Sequence, residues 1–166
     1  MRDTPDGFET LERRNSDRSL VSEQRVRVSD PVVPFTEEGA RALGRQYWQE
    51  VARASRGLVR CRETTDRVEL KFLGCGPALL RFGGAQVAIA DDVVSCSYRI
   101  TGGLLSLDEA GTLIISQVEG SQPEIRVVVD AFFARLGSGA LYGLQRRAHL
   151  AVSRRYFRHL LAGASR

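Results

Sequence analysis

The chain has 166 residues, 43% of them hydrophobic and 27% charged, with a formal net charge of +4. That length holds one hydrophobic core with little left for a second, and no apolar run approaches the roughly 20 residues that span a bilayer. Cys61, Cys75 and Cys96 are odd in number and widely spaced, with no CxxC pair, which argues against a disulfide framework or a zinc site and for a reducing, cytoplasmic compartment.

Lys71 is the only lysine, so the positive charge is almost all arginine. Together with abundant Ala, Gly and Val, this reads as the composition of a GC-rich bacterial genome rather than as a nucleic-acid footprint. No hydrophobic segment follows Met1-Arg2-Asp3-Thr4, so no secretory signal is expected. Residues 1–24 carry scattered apolar side chains (Phe8, Leu11, Leu20, Val21) without a sustained period. They are expected to be a disordered tail, with a single domain over residues 25–166.

Arg25-Val26-Arg27-Val28 alternates as a strand does, and Asp30-Pro31 ends it or marks an edge. Thr36 stands where an N-cap belongs, with Glu37 and Glu38 behind it to complement the helix dipole. Ala40, Leu43, Gly44, Tyr47, Val51 and Ala54 then recur at helical spacing, predicting an amphipathic helix over 37–55 that Gly57 stops. Beyond it the period becomes two. Leu58–Glu63 and Arg67–Leu73 predict a hairpin, and Ala78–Phe82 with Ala85–Ala90 a strand broken at Gly83-Gly84. Val93–Thr101, Thr112–Glu119 and Glu124–Phe133 complete an antiparallel meander that leaves no room for parallel crossovers.

After Gly137-Ser138-Gly139 a long helix is predicted from Ala140 to Ala162. Leu141, Leu144, Ala148, Val152 and Leu160 share one face with Gln145, His149 and Tyr156, and Arg146, Arg147, Arg154 and Arg158 lie mostly opposite. Leu150, Phe157 and Leu161 form a second apolar stripe, so this helix is expected to be covered twice: by the sheet, and by a loop, a tail or a second subunit.

The resulting fold class is α+β, in the order β-α-β6-α, with about seven antiparallel strands. Together with Gly102-Gly103-Leu104-Leu105, the run Ile125–Phe133 into Ala134-Arg135-Leu136, and Leu141-Tyr142 opening the last helix, this order resembles the helix-grip fold of the START-like superfamily (SRPBCC type, polyketide cyclase-like). The resemblance covers roughly residues 25–163. The first helix is unbroken here, where many members have two short ones. The resemblance implies a curved sheet wrapped around the C-terminal helix, with a cavity between them for a hydrophobic or amphipathic small molecule. Gln145, His149 and Tyr156 on the helix and Tyr98 on a strand become the candidate ligand-binding residues, with Cys61, Cys96 and Gln117 as further strand positions.

His149 carries the sharpest chemical reading, as an acid/base or hydrogen-bonding group near neutral pH. The plainer alternative is a histidine satisfied by a backbone carbonyl or by water. No HxH, HxxxH or HExxH occurs, so no metal site is expected. Gly137-Ser138-Gly139 is not a nucleophile elbow, and no phosphate-cradling loop or other cofactor motif appears. The helix arginines lack interleaved aromatics, which fits a solvated face better than a nucleic-acid stripe. The expectation is therefore a ligand-binding or carrier domain with no catalytic residue assigned, no nucleic acid and no stable membrane insertion. A cyclase- or hydratase-like enzyme using His149 with Tyr98 or Tyr156 is the first alternative. A homodimer or interaction module joined through Leu150, Phe157 and Leu161 is the second.

Overall fold

The computed structural model describes residues 8–17, 19–106, 109–132 and 140–164, with side chains throughout except at Arg14, 140–146 and 163–164. The fold is α+β. Its strands are β1 (Phe8–Arg14), β2 (Leu20–Arg27), β3 (Val59–Glu63), β4 (Arg67–Phe72), β5 (Ala78–Gly83), β6 (Gln86–Ala90), β7 (Val93–Gly102), β8 (Thr112–Val118) and β9 (Glu124–Phe132). Helix α1 (Glu37–Ala54) follows β2, and helix α2 (Ala140–Ala164) follows β9. The antiparallel sheet runs β1-β2-β9-β8-β7-β5-β4-β3, with β6 paired to β7 beside that path.

The sheet differs from expectation first at the N-terminal end. Residues 8–14 and 20–24, read as a disordered tail, are strand: β1 pairs with β2 from Phe8↔Val26 to Arg14↔Leu20, and the far edge of β2 pairs with β9. Backbone hydrogen bonds on both sides of β2 supply what its polar side chains do not. Charge completes the hairpin. Glu9 sits directly opposite Arg25 and pairs with it, and Arg27 lies 3.7 Å from both Glu9 and Glu124. The hairpin is also tied to the body by Phe8, whose ring centroid lies 5.6 Å from that of Phe157, with the Arg154 guanidinium 5.3 Å above the Phe8 ring.

The second difference is at Gly83-Gly84, where the expected single strand becomes β5 and β6. β5 is in ladder register with β7 at Arg81↔Gly102 and Phe82↔Ile100, whereas β6 pairs with β7 from Gln86↔Ser97 to Ala90↔Val93. The bend brings the β3–β4 turn so close that a Cβ at Gly84 would lie 2.6 Å from the Thr65 carbonyl oxygen. Only glycine fits there.

α1 forms as the sequence predicts. The Thr36 hydroxyl accepts from the Gly39 amide at 3.2 Å, and Glu37 and Glu38 occupy the first turn. This helix is covered on two sides, because it packs on β7, β3, β6 and β8 and also on α2. The described part of α2 packs chiefly on α1. The Tyr156 hydroxyl donates to the Leu43 carbonyl at 3.2 Å, and Glu50, 1% exposed, takes Arg53 at 2.5 Å and Arg155 at 2.9 Å. An aromatic run links the layers. Phe157 meets Tyr156, Tyr156 meets Tyr47, Tyr47 meets Trp48, and Trp48 meets Phe82 and Tyr98, at centroid distances of 5.0 to 5.8 Å.

Candidate functional site

Alternation along the strands decides which face receives the helices. Val68 and Leu70 of β4, Cys96, Tyr98 and Ile100 of β7, Leu113 and Ile115 of β8 and Ile125 and Val127 of β9 are buried, with more exposed residues between them. α1 cannot cover all of this face. Between it, the sheet and α2 a cavity of about 510 Å³ remains, floored by Leu80, Phe82, Ile100, Leu113 and Val129. Tyr47, Trp48 and Val51 wall it from α1, and Ala148, His149, Ala151 and Val152 from α2. The polar groups on its boundary are few, including Glu12, Arg13 and Ser22 from β1 and β2, and Ser55 where α1 ends. Such a space, mostly apolar with a few polar groups, has the size and chemistry of a small-molecule site.

The sequence-predicted residues separate here. His149 lines the cavity. Tyr156 does not: it is 0% exposed, locked to α1 through Leu43. Tyr98 is also outside the lining, 1% exposed beneath α1, where a Cβ on Gly44 would come within 2.2 Å of its hydroxyl oxygen. Burial, and after it the neighbouring Cys96 thiol, push the Tyr98 hydroxyl far above its ordinary range. The Trp48 indole, edge-on to the Tyr98 ring, buries its N–H with no hydrogen-bond partner among the described residues. Gln145 lies on α2 outside the residues whose side chains are described. Gln117 is a structural clamp instead of a cavity residue. Its carbonyl oxygen accepts from the Val32 and Val33 amides at 2.7 and 3.0 Å, and its amide donates to the Val33 carbonyl at 2.7 Å. Cys96 is buried under α1, and Cys61 is half-buried with its thiol pushed up to about 12 by burial.

His149 is half-buried, and its two ring nitrogens differ. Nδ1 lies 3.4 Å from the Tyr47 hydroxyl, and Nε2 is shielded from solvent with no partner among the described residues. Burial favours the neutral imidazole and pushes its pKa down to about 4 from 6.5. The unfolded chain therefore takes up this proton at higher pH than the folded one. His149 costs no stability above about pH 6.5, and the folded state weakens as pH falls from there to about 4. The full effect is about 3 kcal/mol at most, because one pK unit is worth about 1.4 kcal/mol. Midpoints of urea unfolding between these pH values should fall for the natural chain, and His149→Gln should flatten that part of the slope. Equal slopes for the two chains would refute it.

Trp48 and the leucines at 79, 80 and 105 line the cavity, and none of them was read from the sequence as a cavity residue. The signal for Trp48 was present: beside Tyr47 and four residues after Gly44, it widens the apolar stripe of α1 to a second face. Leu79, Leu80 and Leu105 carried no comparable signal, since a cavity wall and a filled core use the same side chains. Among the described residues no group of histidine, cysteine or carboxylate side chains could hold a metal ion, and no helix is long and apolar enough to cross a membrane. Compared with known proteins, the chain fits no family model and has no match among curated sequences.

Proposed function

We propose that the chain is a helix-grip, START-like binding domain whose cavity holds an apolar or amphipathic small molecule. The observation that carries this reading is the 510 Å³ cavity itself, left open where a protein interior is normally close-packed. Element order supports the same reading: a strand, a helix, an antiparallel run and a long C-terminal helix, with a hairpin strand added in front. A ligand here would lie against sheet leucines and the Trp48 face, with its polar end toward the His149 and Tyr47 side or the Glu12 and Arg13 rim.

Two further readings draw less support. Acid–base chemistry would have to run through His149 and the Tyr47 hydroxyl 3.4 Å from its Nδ1, since neither Tyr98 nor Tyr156 lines the cavity, and burial holds that imidazole neutral and that hydroxyl protonated. A dimer seam through the second stripe of α2 would need Phe157, which is 2% exposed and covered by Phe8 of the same chain.

Trp48 is the only tryptophan, so its emission reports on the cavity alone. Titration with anilinonaphthalene sulfonate should quench Trp48 and raise the probe's emission by energy transfer, and a long-chain fatty acid should displace the probe. Val152→Phe, which enlarges a partly buried side chain of the cavity wall on α2, should weaken probe binding about tenfold, as overfilling costs on the order of 1–3 kcal/mol. A probe that leaves Trp48 unquenched, or binds the Val152→Phe chain equally well, would sink the proposal.

A further inference from the structure

Among the described residues β1 is the last strand on its side of the sheet, paired with β2 alone. Its register runs without a shift from Phe8 to Arg14, and it holds no proline or glycine to blunt the edge. The direction of its backbone groups follows from both ends of the hairpin. The Asn15 amide donates to the Ser19 carbonyl at 2.9 Å, so by alternation Arg13, Leu11 and Glu9 turn their amides and carbonyls toward β2. The Val28 amide donates to the Pro123 carbonyl at 2.8 Å, which turns Val26, Gln24 and Ser22 toward β9 and leaves the odd positions of β2 to β1. Both ends agree. The backbone groups of positions 8, 10, 12 and 14 therefore point away from β2, into the open edge.

The side chains carry a self-complementary pattern. Phe8 meets Phe157 on the inner face, so Glu9, Leu11 and Arg13 point to the outer face. Leu11 is 64% exposed, more than any other large apolar side chain described. When β1 pairs antiparallel with a second β1, like faces must meet, so the twofold axis passes through a residue and not between two. Centred on Leu11, the register uses all seven residues of the strand. It sets Leu11 against Leu11, and Glu9 of each copy against Arg13 of the other. Because Leu11 turns its backbone to β2, the leucines form the closer, non-hydrogen-bonded kind of pair, with Cα atoms about 4.5 Å apart. Centring on Glu12 would oppose two carboxylates, and centring on Thr10 would set Glu9 against Leu11. The far end of the sheet rejects the same arrangement, since β3 centred on Cys61 places Arg60 opposite Arg62.

We infer that β1 is a dimer edge, at which two copies of this chain join antiparallel about Leu11 and make one continuous sheet. Main-chain hydrogen bonds hold the seam, and the leucine pair and the two Glu9–Arg13 pairs set its register. This seam is separate from the second stripe of α2, and it stands or falls independently of the cavity reading. A single strand pair is small among interfaces, so the dimer forms and dissociates with concentration.

Sedimentation velocity on the full chain over a wide concentration range tests this. The natural chain should pass from monomer to dimer and no further, because a twofold seam closes on itself. Leu11→Arg should hold the chain monomeric by setting two like charges face to face. Thr10→Pro should do the same by removing an amide that faces the seam and not β2. Arg13→Glu should weaken the dimer about tenfold, two attractive pairs becoming two repulsive ones, and added salt should return part of that loss. The urea midpoint of dilute Leu11→Arg should match that of the natural monomer, so this variant decides alone if Thr10→Pro disturbs the hairpin. Register is read by cross-linking in a Cys75→Ser background. Leu11→Cys should oxidise to a disulfide-linked dimer, its Cα spacing being within disulfide reach, whereas Glu9→Cys should not. A natural chain that is monomeric at every concentration, a dimer that survives Leu11→Arg, or equal cross-linking at positions 9 and 11 overturns the proposal.

Discussion

Gln117→Met is expected to destabilise the chain by about 4 kcal/mol, although it preserves volume and removes no charge. Gln117 sits on β8 with no exposed surface, and it replaces a missing backbone partner for the segment between β2 and α1. Its three bonds to Val32 and Val33 satisfy two amides and one carbonyl that belong to no helix or strand. Methionine fills the same space and satisfies none of them. A buried backbone group left without a partner costs about 1–3 kcal/mol, and Val33 is 6% exposed, so neither of its polar groups finds water. Val32 is only partly buried and its amide can hydrate, which holds the sum near two full penalties. The urea midpoint measures the loss, and amide exchange at Val32 and Val33 shows whether the segment opens locally. A loss under about 1 kcal/mol would mean that the segment is anchored by the Val33 side chain alone. Gln117→Glu, when ionised, sets a carboxylate oxygen against the Val33 carbonyl in a site without solvent, so its loss should grow as pH rises.

Gly44→Ala is the second expected large effect, and it inverts a rule. In the middle of a helix, alanine is worth about 1 kcal/mol over glycine. At this position the added Cβ would lie 2.2 Å from the Tyr98 hydroxyl oxygen, 3.0 Å from its ring and 3.0 Å from the Cys96 sulfur. Tyr98 cannot swing away, because it is 1% exposed and edge-on to Trp48 at 5.1 Å. α1 must therefore lift off β7. Overpacking of this kind costs on the order of 3 kcal/mol, leaving a net loss of about 2 kcal/mol. Tyr98→Phe removes the closest atom, so in the double variant part of the loss should return. A double-mutant cycle on denaturation midpoints reads the coupling directly, and a strictly additive result would show that the contact is relieved by some other movement.

These two residues illustrate how the site was legible and where it was not. The stripe of α1 was plain in the spacing of Ala40, Leu43, Gly44, Tyr47 and Val51, and the stripe is buried. The identity of its neighbours was not, because Gly44 is silent about whether it spares a turn, a bend or a tyrosine ring. His149 was picked out as a polar residue on an apolar helix face, and it does line the cavity. Tyr156 satisfied the same criterion and is sealed against Leu43. A helical wheel assigns direction to within a face, but it does not say whether sheet, helix or empty space lies opposite.

From the sequence alone followed the element types and nearly all their boundaries from residue 25 onward, because period, caps and turn residues act within a few positions of themselves. The antiparallel class followed as well, since connections this short admit no parallel crossover. Tertiary structure decided the rest. It made strands of residues 8–14 and 20–24, where β1 folds back on β2 and β2 gains its other edge from distant β9, through backbone bonds that leave no mark on side-chain pattern. It covered α1 on two sides and placed α2 mainly against it, and it gave Phe157 the partner Phe8 from within the chain. It also left about 510 Å³ unfilled. A cavity is a mismatch between the surfaces of several elements, and no segment of the chain encodes it by itself.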